Sequence, residues 1–551
     1  MKLSNQRKAA PEYRAAFFCS IFEMKEVLFA NCHMCRILKL LFIFCALQNE
    51  LIAQILPKEN AMLHYRIIGF SYPVMKEDSD CTVEVAMGNC SNDEEFRKNV
   101  IITRDCEKGK AIIEVPAFGK EYTWRVVFFS KTKTHKASIR HHFSCIIASS
   151  VDTNVTRLKV LKKAEKYKDA YTFMDGSKAL YDMDGNPVWY LPERLSTPKS
   201  KVWDMKLTPQ STITFLLDQN IYEINYDGDV LWKGPNNGKV SGDSIEYYHH
   251  ELMKLSNGHY MVLGTEFIPW AAGNAQKTSD TNRKKEAFGT LIEYDHDGNI
   301  VWSWKSSKYF KGIDPKYLTT DLYDIKGAGK IVDVHENAFY FDEHEQAAYI
   351  SFKDISSIIK VKYPEGEVIN VYGKLAKHVQ NEAGNDWFCG QHSCKTTDEG
   401  NLYLYNNNAC HKNALPQILM FEQPKLKGDT LKKIWEYTCS FEDVLAEKQL
   451  EKEKSGSKDD IPSPEIISSM GIYSKGGNLL ILPDHSIFAS ICGIYGKVFI
   501  ITPGNEIVWS ALLQTFNPYN RKWEDVINYK SNIILNTSEL EKLIRKAERN
   551  N

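Results

Sequence analysis

The sequence predicts an all-β protein: a six-bladed β-propeller preceded by a small N-terminal β-sandwich. Three observations carry that expectation: a hairpin phrase repeated along the chain, short alternating strands ahead of it, and an aromatic content of 12%, which favours strands over helices. The strong copies of the phrase are Tyr181-Asp-Met-Asp-Gly-Asn-Pro-Val-Trp189, Tyr226-Asp-Gly-Asp-Val-Leu-Trp232, Tyr294-Asp-His-Asp-Gly-Asn-Ile-Val-Trp302 and Thr502-Pro-Gly-Asn-Glu-Ile-Val-Trp509. Each reads as strand, tight turn, strand, with an aromatic at a constant offset from the turn. Weaker copies, Tyr363-Pro-Glu-Gly-Glu-Val368 and Lys427-Gly-Asp-Thr-Leu-Lys-Lys-Ile-Trp435, bring the total to six. A period of roughly 40 to 75 residues with several short strands in each unit is the pattern of a propeller. Unrelated hairpins that merely share turn chemistry would not hold the aromatic at one offset.

Residues 1–54 read as a leader. Cys35 to Leu47 is an apolar run behind Arg36 and Lys39, too short to span a bilayer, and Ala53 or Gln54 offers a cleavage point. The stretch before it is long for a signal peptide, and a start at Met24 or Met34 would give an ordinary length. An uncleaved anchor is the alternative. Residues 55–150 contain alternating runs such as Thr82-Val-Glu-Val-Ala86 and Ala111-Ile-Ile-Glu-Val115, then Glu121-Tyr-Thr-Trp-Arg-Val-Val-Phe128 as an outer strand. These suit the sandwich. Residues 151–535 form the propeller, with a helix and a charged linker expected from Ser440 to Pro464, and residues 536–551 a helical tail.

Lys plus Arg total 69 against 70 for Asp plus Glu, so the chain lacks the basic excess that binding along nucleic acid requires. Of 13 cysteines, Cys19, Cys32, Cys35 and Cys45 lie in the leader and nine follow it. Export would leave an odd thiol beside at least one disulfide.

A second phrase runs ahead of the hairpins: a strand, a turn, then an aliphatic and aromatic strand. His250 stands eight residues before Gly258, His392 eight before Gly400, and His335 eight before Glu343 at the corresponding turn. Three units therefore place an imidazole at one phase of their innermost strand, where it faces the central channel. Period-two alternation puts Asn337 on the face of His335, and Lys353 on the next strand brings an ammonium towards the same place. Ser469, eight residues before Gly477, is the matching hydroxyl of the last unit. His249, His259, His296 and His344 read as ordinary surface or hydrogen-bonded histidines. Three converging imidazoles could also ligate zinc, although no close pairing of the His-Glu-x-x-His kind is present.

The segments His249-His-Glu-Leu252, His335-Glu-Asn337, Ser351-Phe-Lys353 and Gln391-His-Ser393, in this order on a six-unit repeat, resemble the bacterial arylsulfate sulfotransferases. The likeness runs from about residue 60 to 515. It implies a ping-pong transfer of a sulfuryl group from a phenolic sulfate ester to a phenol, without a nucleotide donor or other cofactor and without a metal. His392 would be the nucleophile that becomes sulfohistidine, while His250, His335 and Asn337 bind the sulfuryl oxygens and assist proton transfer. Lys353 stands where the family has an arginine, so the planar two-pronged grip on sulfate is lost. The resemblance also makes a bridge between Cys389 and Cys394, around His392, an expectation; two buried thiols are the alternative.

The partners so implied are an aryl sulfate donor and a phenol acceptor, with no nucleic acid and no stable membrane span. A homodimer is allowed, and the location is periplasmic or secreted. Two other readings stand beside this one: a non-catalytic propeller that binds glycan or peptide, and a histidine-ligated zinc hydrolase.

Overall fold

The computed structural model describes residues 55–550 apart from 74–79, 130–134, 269–285, 315–316, 319–333, 380–386, 426–430 and 457. The leader expected over residues 1–54 lies outside the described residues, as does the turn of the weak copy at Lys427. The described chain is mostly β, organised as successive antiparallel sheets.

The first sheet runs in the order Ala61–Leu63, His141–Cys145, Lys120–Phe129, Asp80–Met87 and Val100–Cys106, with Ile67–Ser71 and Lys110–Glu114 forming a separate pair. Lys120–Phe129, expected at the edge, is central. Seven consecutive residues from Tyr122 to Phe128 are buried, because the strand is covered on both faces and paired on both sides. The side chains of Phe70, Trp124 and Phe143 meet edge to face in this core, and a disulfide joins Cys81 to Cys106 across adjacent strands.

Six sheets built on four antiparallel strands follow among the described residues. Their innermost strands are Ser531–Ile534, Val202–Leu207, His249–Lys254, Glu336–Asp342, His392–Thr396 and Asn478–Ile481. The first sheet of this series takes its inner strand from the far end of the chain: Ser531–Ile534 pairs with Tyr171–Met174. In the last, Thr156–Lys162 adds to Ile507–Asn517.

The repeated hairpin phrase now has a physical reason. Its tryptophan donates its indole N–H to a turn carbonyl of the next sheet: Trp189 to Tyr226 at 2.8 Å, Trp302 to Pro364 at 2.8 Å, Trp435 to Pro503 at 3.3 Å and Trp509 to Met183 at 2.9 Å. Trp232 instead stacks on Tyr260 of its neighbour with centroids 3.7 Å apart. A ring nitrogen that must reach one carbonyl in the adjacent copy cannot drift from its offset.

A second set of bonds joins the sheets near their inner edges. The Asp175 carboxylate accepts from Asp204 N–H, Asp204 from Leu252 N–H, and Glu251 from Phe339 N–H. Asn337 donates to the Gln391 carbonyl, Asn407 to those of Tyr473 and Gly476, and Asn478 to that of Ser531. Followed in order, the bonds pass from each sheet to the next and from the last back to the first. Each of these buried side chains makes at least one bond to backbone, which offsets the cost of burying it, although Asn337 Oδ1 has no partner among the described residues.

The helix Thr537–Asn550 is not a loose tail. Leu540, Leu543, Ile544 and Ala547 are buried in one cluster with Ile67, Phe70 and Ile534, on the helical spacing that makes one apolar face. It thereby packs between the N-terminal sheets and the repeats. No helix of the described residues is long and apolar enough to cross a membrane. The helix expected between two late units is Glu442–Ser455.

Candidate active site

The innermost strands do not begin as regular ladders. Pairing slips between Trp203 and Lys206, between His249 and Leu252, between Glu336 and Ala338, and between His392 and Cys394. At the same places Asp204, His250, His335 and Ser393 have φ of 58°, 62°, 47° and 51°. Non-glycine residues pay for such angles, and bulges of this kind re-aim a side chain beside functional sites. Here they fall at the starts of four consecutive inner strands.

Of the residues singled out in the sequence, His250 and His335 meet directly, with ring centroids 5.5 Å apart. His392 joins them through Tyr529, whose ring lies 6.3 Å from His392 and 5.8 Å from His250. Lys353 is buried; its Nζ is 3.4 Å from Asp354 Oδ1, and its backbone N–H donates to the His335 carbonyl. Asn337 is fully buried and its amide is directed at the Gln391 carbonyl 2.6 Å away, which holds the residue preceding His392. His335 is the open side of the group, its side chain 34% exposed, whereas His392 is enclosed.

Burial is the chief reason these imidazoles stay neutral, with neighbouring imidazoles and lysines adding to it. His335 is lowered to about 4 by burial and by Lys353. His250 lies well below the usual range through burial and its neighbours His249 and His335; His392 does so through burial, with Lys353, His335 and Lys530 adding to it and the Asn407 bond opposing it. Lys530 is itself raised: burial opposes its charge, but Glu251 and Asp204 hold it protonated beneath the site. The result is a set of neutral rings, each with a lone pair, beside two buried lysines that are themselves paired with carboxylates.

Four further residues belong to this place. His249 Nδ1 and His250 Nδ1 share a hydrogen at 2.6 Å, and His249 also bonds the Gly264 backbone. A hydrogen given by His250 Nδ1 leaves the lone pair of that ring on Nε2. Trp203 lies 5.9 Å from His250 and 5.6 Å from Tyr529. Its register was available in the sequence: Trp203, His250 and His392 each stand five residues before the N–H that closes the following turn, at Thr208, Leu255 and Thr397. The turn after Trp203 has no glycine, so the phase is hidden. Tyr529 precedes the strand returned from the far end of the chain, and its enclosed hydroxyl has no hydrogen-bond partner among the described residues. Asn407 accepts from His392 Nδ1 at 2.7 Å.

Two expectations are corrected. Ser469 is not at the channel: it ends the exposed side of the helix Pro464–Ser469, and its hydroxyl bonds the Ile466 carbonyl. By register Gly477 takes that place, five residues before the N–H of Leu482 that closes its turn. Cys389 is bridged to Cys410, not to Cys394, which is a buried free thiol. Cys394 lies within a strand, whereas Cys389 and Cys410 flank the two segments that carry His392 and Asn407. Cys389, Cys410 and His411 are the only close cluster of potential metal ligands among the described residues, and two of its sulfurs are in that disulfide. His250, His335 and His392 do not form such a cluster.

A β-rich scaffold that brings several neutral histidines and a lysine together from consecutive sheets has the makings of a group-transfer enzyme. The model of the arylsulfotransferase (ASST) family matches residues 151–438, which covers the sheets carrying all three histidines. The chain belongs to that family and is a sulfotransferase enzyme acting on small molecules. No curated protein sequence matches it. Among solved structures it is similar to a Bacteroides caccae protein of unknown function, with 11% identity and a TM-score of 0.35 over 69% of this chain and 99% of that one. It is also similar to a periplasmic gluconolactonase of Pseudomonas aeruginosa, with 9% identity and a TM-score of 0.27 over 83% of this chain and 100% of that one. Likenesses this distant assign no residue and no activity here.

Proposed function

We propose that residues 151–535 close into a six-bladed propeller behind an N-terminal sandwich, and that its axial site moves a sulfuryl group from an aryl sulfate to a phenol through a sulfohistidine at His392. The return of both inter-sheet hydrogen-bond series from the last sheet to the first supports the closure. The observation that carries the chemistry is the meeting of His250, His335, His392 and Lys353 from three consecutive sheets.

In the first half-reaction the lone pair of His392 attacks sulfur, and the S–O bond to the ring breaks with its electrons leaving on the phenolate. Covalent transfer of this kind splits one hard step into two easier ones. Lys353 and the His335 ring face the charge that spreads over the sulfuryl oxygens and leaving group, as fixed donors do best in an enclosed site. Lys353 supplies this as a point charge, where an arginine would grip two oxygens. In the second half an acceptor phenol gives its proton to His250 Nε2, its oxygen bonds sulfur, and the N–S electrons return to His392. Trp203 and Tyr529 offer aromatic faces beside the reacting centre for the two rings. Asn337, directed at the Gln391 carbonyl, supports the loop of the nucleophile.

Export to the periplasm or beyond is proposed on the leader and on the two disulfides, which persist in oxidising compartments. Steady-state kinetics test the mechanism: varying an aryl sulfate against a phenol gives parallel double-reciprocal lines, and His392→Asn loses acceptor-dependent phenol release. Intersecting lines, or full activity in His392→Asn, would overturn it.

A further inference from the structure

The orientation of one buried amide decides how His392 can react. Asn407 is 2% exposed, and its Nδ2 donates to two carbonyls, Tyr473 at 2.6 Å and Gly476 at 3.1 Å. With both amide hydrogens so used, the oxygen is the group that faces His392 Nδ1 at 2.7 Å. An oxygen accepts, so Nδ1 must carry the hydrogen. At the other side of the ring the Gly476 N–H points at Nε2, 3.1 Å away, which requires a lone pair there. Three bonds thus close a cycle: His392 Nδ1–H to Asn407, Asn407 Nδ2–H to the Gly476 carbonyl, and Gly476 N–H to His392 Nε2. Every member of the cycle agrees on one tautomer.

The cycle is held from outside as well. The disulfide between Cys389 and Cys410 ties the segment three residues before His392 to the segment three residues after Asn407. Gly476 and Gly477 have φ of 57° and 94°. A Cβ on Gly476 would meet Tyr529 at 2.9 Å, so only glycine brings this N–H to the ring.

We infer that Asn407 is a positioning residue for the transfer, locking His392 as the Nδ1–H tautomer so that Nε2 is the atom that takes the sulfuryl group. The inference rests on His392 being the nucleophile. A neutral imidazole has one lone pair, and its place is set by whatever the other nitrogen donates to. In the attack the Nε2 pair leaves its bond from Gly476 N–H and forms the N–S bond, while the aryl oxygen takes the S–O electrons. No proton moves on His392: the Nδ1 hydrogen stays on the ring, and Asn407 Oδ1 faces the positive charge that the ring then carries. When the acceptor oxygen bonds sulfur, the N–S pair returns to Nε2 and the cycle closes again.

The test uses the full chain, 4-nitrophenyl sulfate as donor and a phenol as acceptor. Asn407→Leu should lower kcat about 10–100-fold with little change in KM, the usual size of an orienting partner's effect. Asn407→Asp keeps an acceptor at Nδ1 but adds a negative charge, which favours the imidazolium; the acid limb of its kcat profile should move to higher pH, with activity recovered above it. A merely structural disturbance lowers kcat without moving that limb. Nitrogen-15 histidine spectra of the unaltered enzyme should show His392 protonated at Nδ1 and, after donor alone, substituted at Nε2. Hydrogen on Nε2, a sulfuryl group on Nδ1, or an Asn407→Leu enzyme with unchanged kcat would overturn the inference while leaving the sulfohistidine intact. Failure of the unaltered enzyme to form any histidine adduct would instead remove the reading on which it rests.

Discussion

At the scale of single residues, burial shifts the protonation of several groups inside the fold. His64 and His249 are lowered to about 3 and His335 to about 4, in each case chiefly by burial, while burial raises Asp175 to about 8. The signs differ in their consequences. A histidine lowered in the folded state binds its proton more readily when unfolded, near its ordinary value of about 6.5, so these groups make stability rise with pH up to that point. Asp175 holds its proton more tightly when folded, so between about 4 and 8 it makes stability fall as pH rises. Below about 6.5 the histidines outnumber it, and above that it acts alone among these groups. Urea unfolding followed from pH 4 to 8 should therefore give greatest stability near pH 6.5, falling steeply on the acid side and gently on the alkaline side. A flat profile, or one still rising at pH 8, would contradict the burial assigned to these groups.

The same residues show where reading a sequence stops. His250, His335 and His392 were legible because each keeps one distance from a turn, a property of the chain alone. Trp203 shares that register but lacks the glycine that marks it. Asn407 and Tyr529 come from segments with no repeated phase: one follows a second strand, the other precedes a strand borrowed from the far end of the chain. Cys389 faces Cys410 across a separation of 21 residues that no spacing rule selects.

At the scale of elements, the hairpin phrase was readable because its tryptophan does the same job in most copies. Trp189, Trp302, Trp435 and Trp509 each close a bond to the next sheet. Trp509→Phe keeps the buried ring but leaves the Met183 carbonyl without its donor, and should cost about 1–3 kcal/mol in urea denaturation. Trp302→Phe, at a partly exposed indole, should cost less. Equal losses at the two sites would mean that ring packing, not the inter-sheet bond, keeps the offset. Ser469 shows the opposite case. The helices Glu442–Ser455 and Pro464–Ser469 lie between two sheets and displace the count by which a channel residue would be found, so the register passes to Gly477. Lys120–Phe129 differs from the expected outer strand for a related reason: alternation of large residues suggests one covered face, but this central strand is covered on both.

At the scale of the whole molecule, the C-terminal elements complete earlier parts of the fold. The strand Ser531–Ile534 completes the sheet begun at Tyr171, and the helix Thr537–Asn550 seals the N-terminal sheets against it. Leu543 is fully buried in that seam. Leu543→Ala should destabilise by about 2–5 kcal/mol, read as a fall in the thermal midpoint, and activity should be kept at temperatures where the variant remains folded. An unchanged midpoint would show that the seam contributes nothing to stability. Because Tyr529 and Lys530 lie just ahead of the returning strand, the pairing that completes the first sheet of the series also brings these two residues to the candidate site.

The most direct measurement is the mass of the protein after exposure to an aryl sulfate donor with no acceptor, followed by peptide mapping. A single sulfuryl adduct is expected on the peptide containing His392, discharged when a phenol is added and missing in His392→Asn. Turnover without any adduct, or an adduct confined to another histidine, would contradict it.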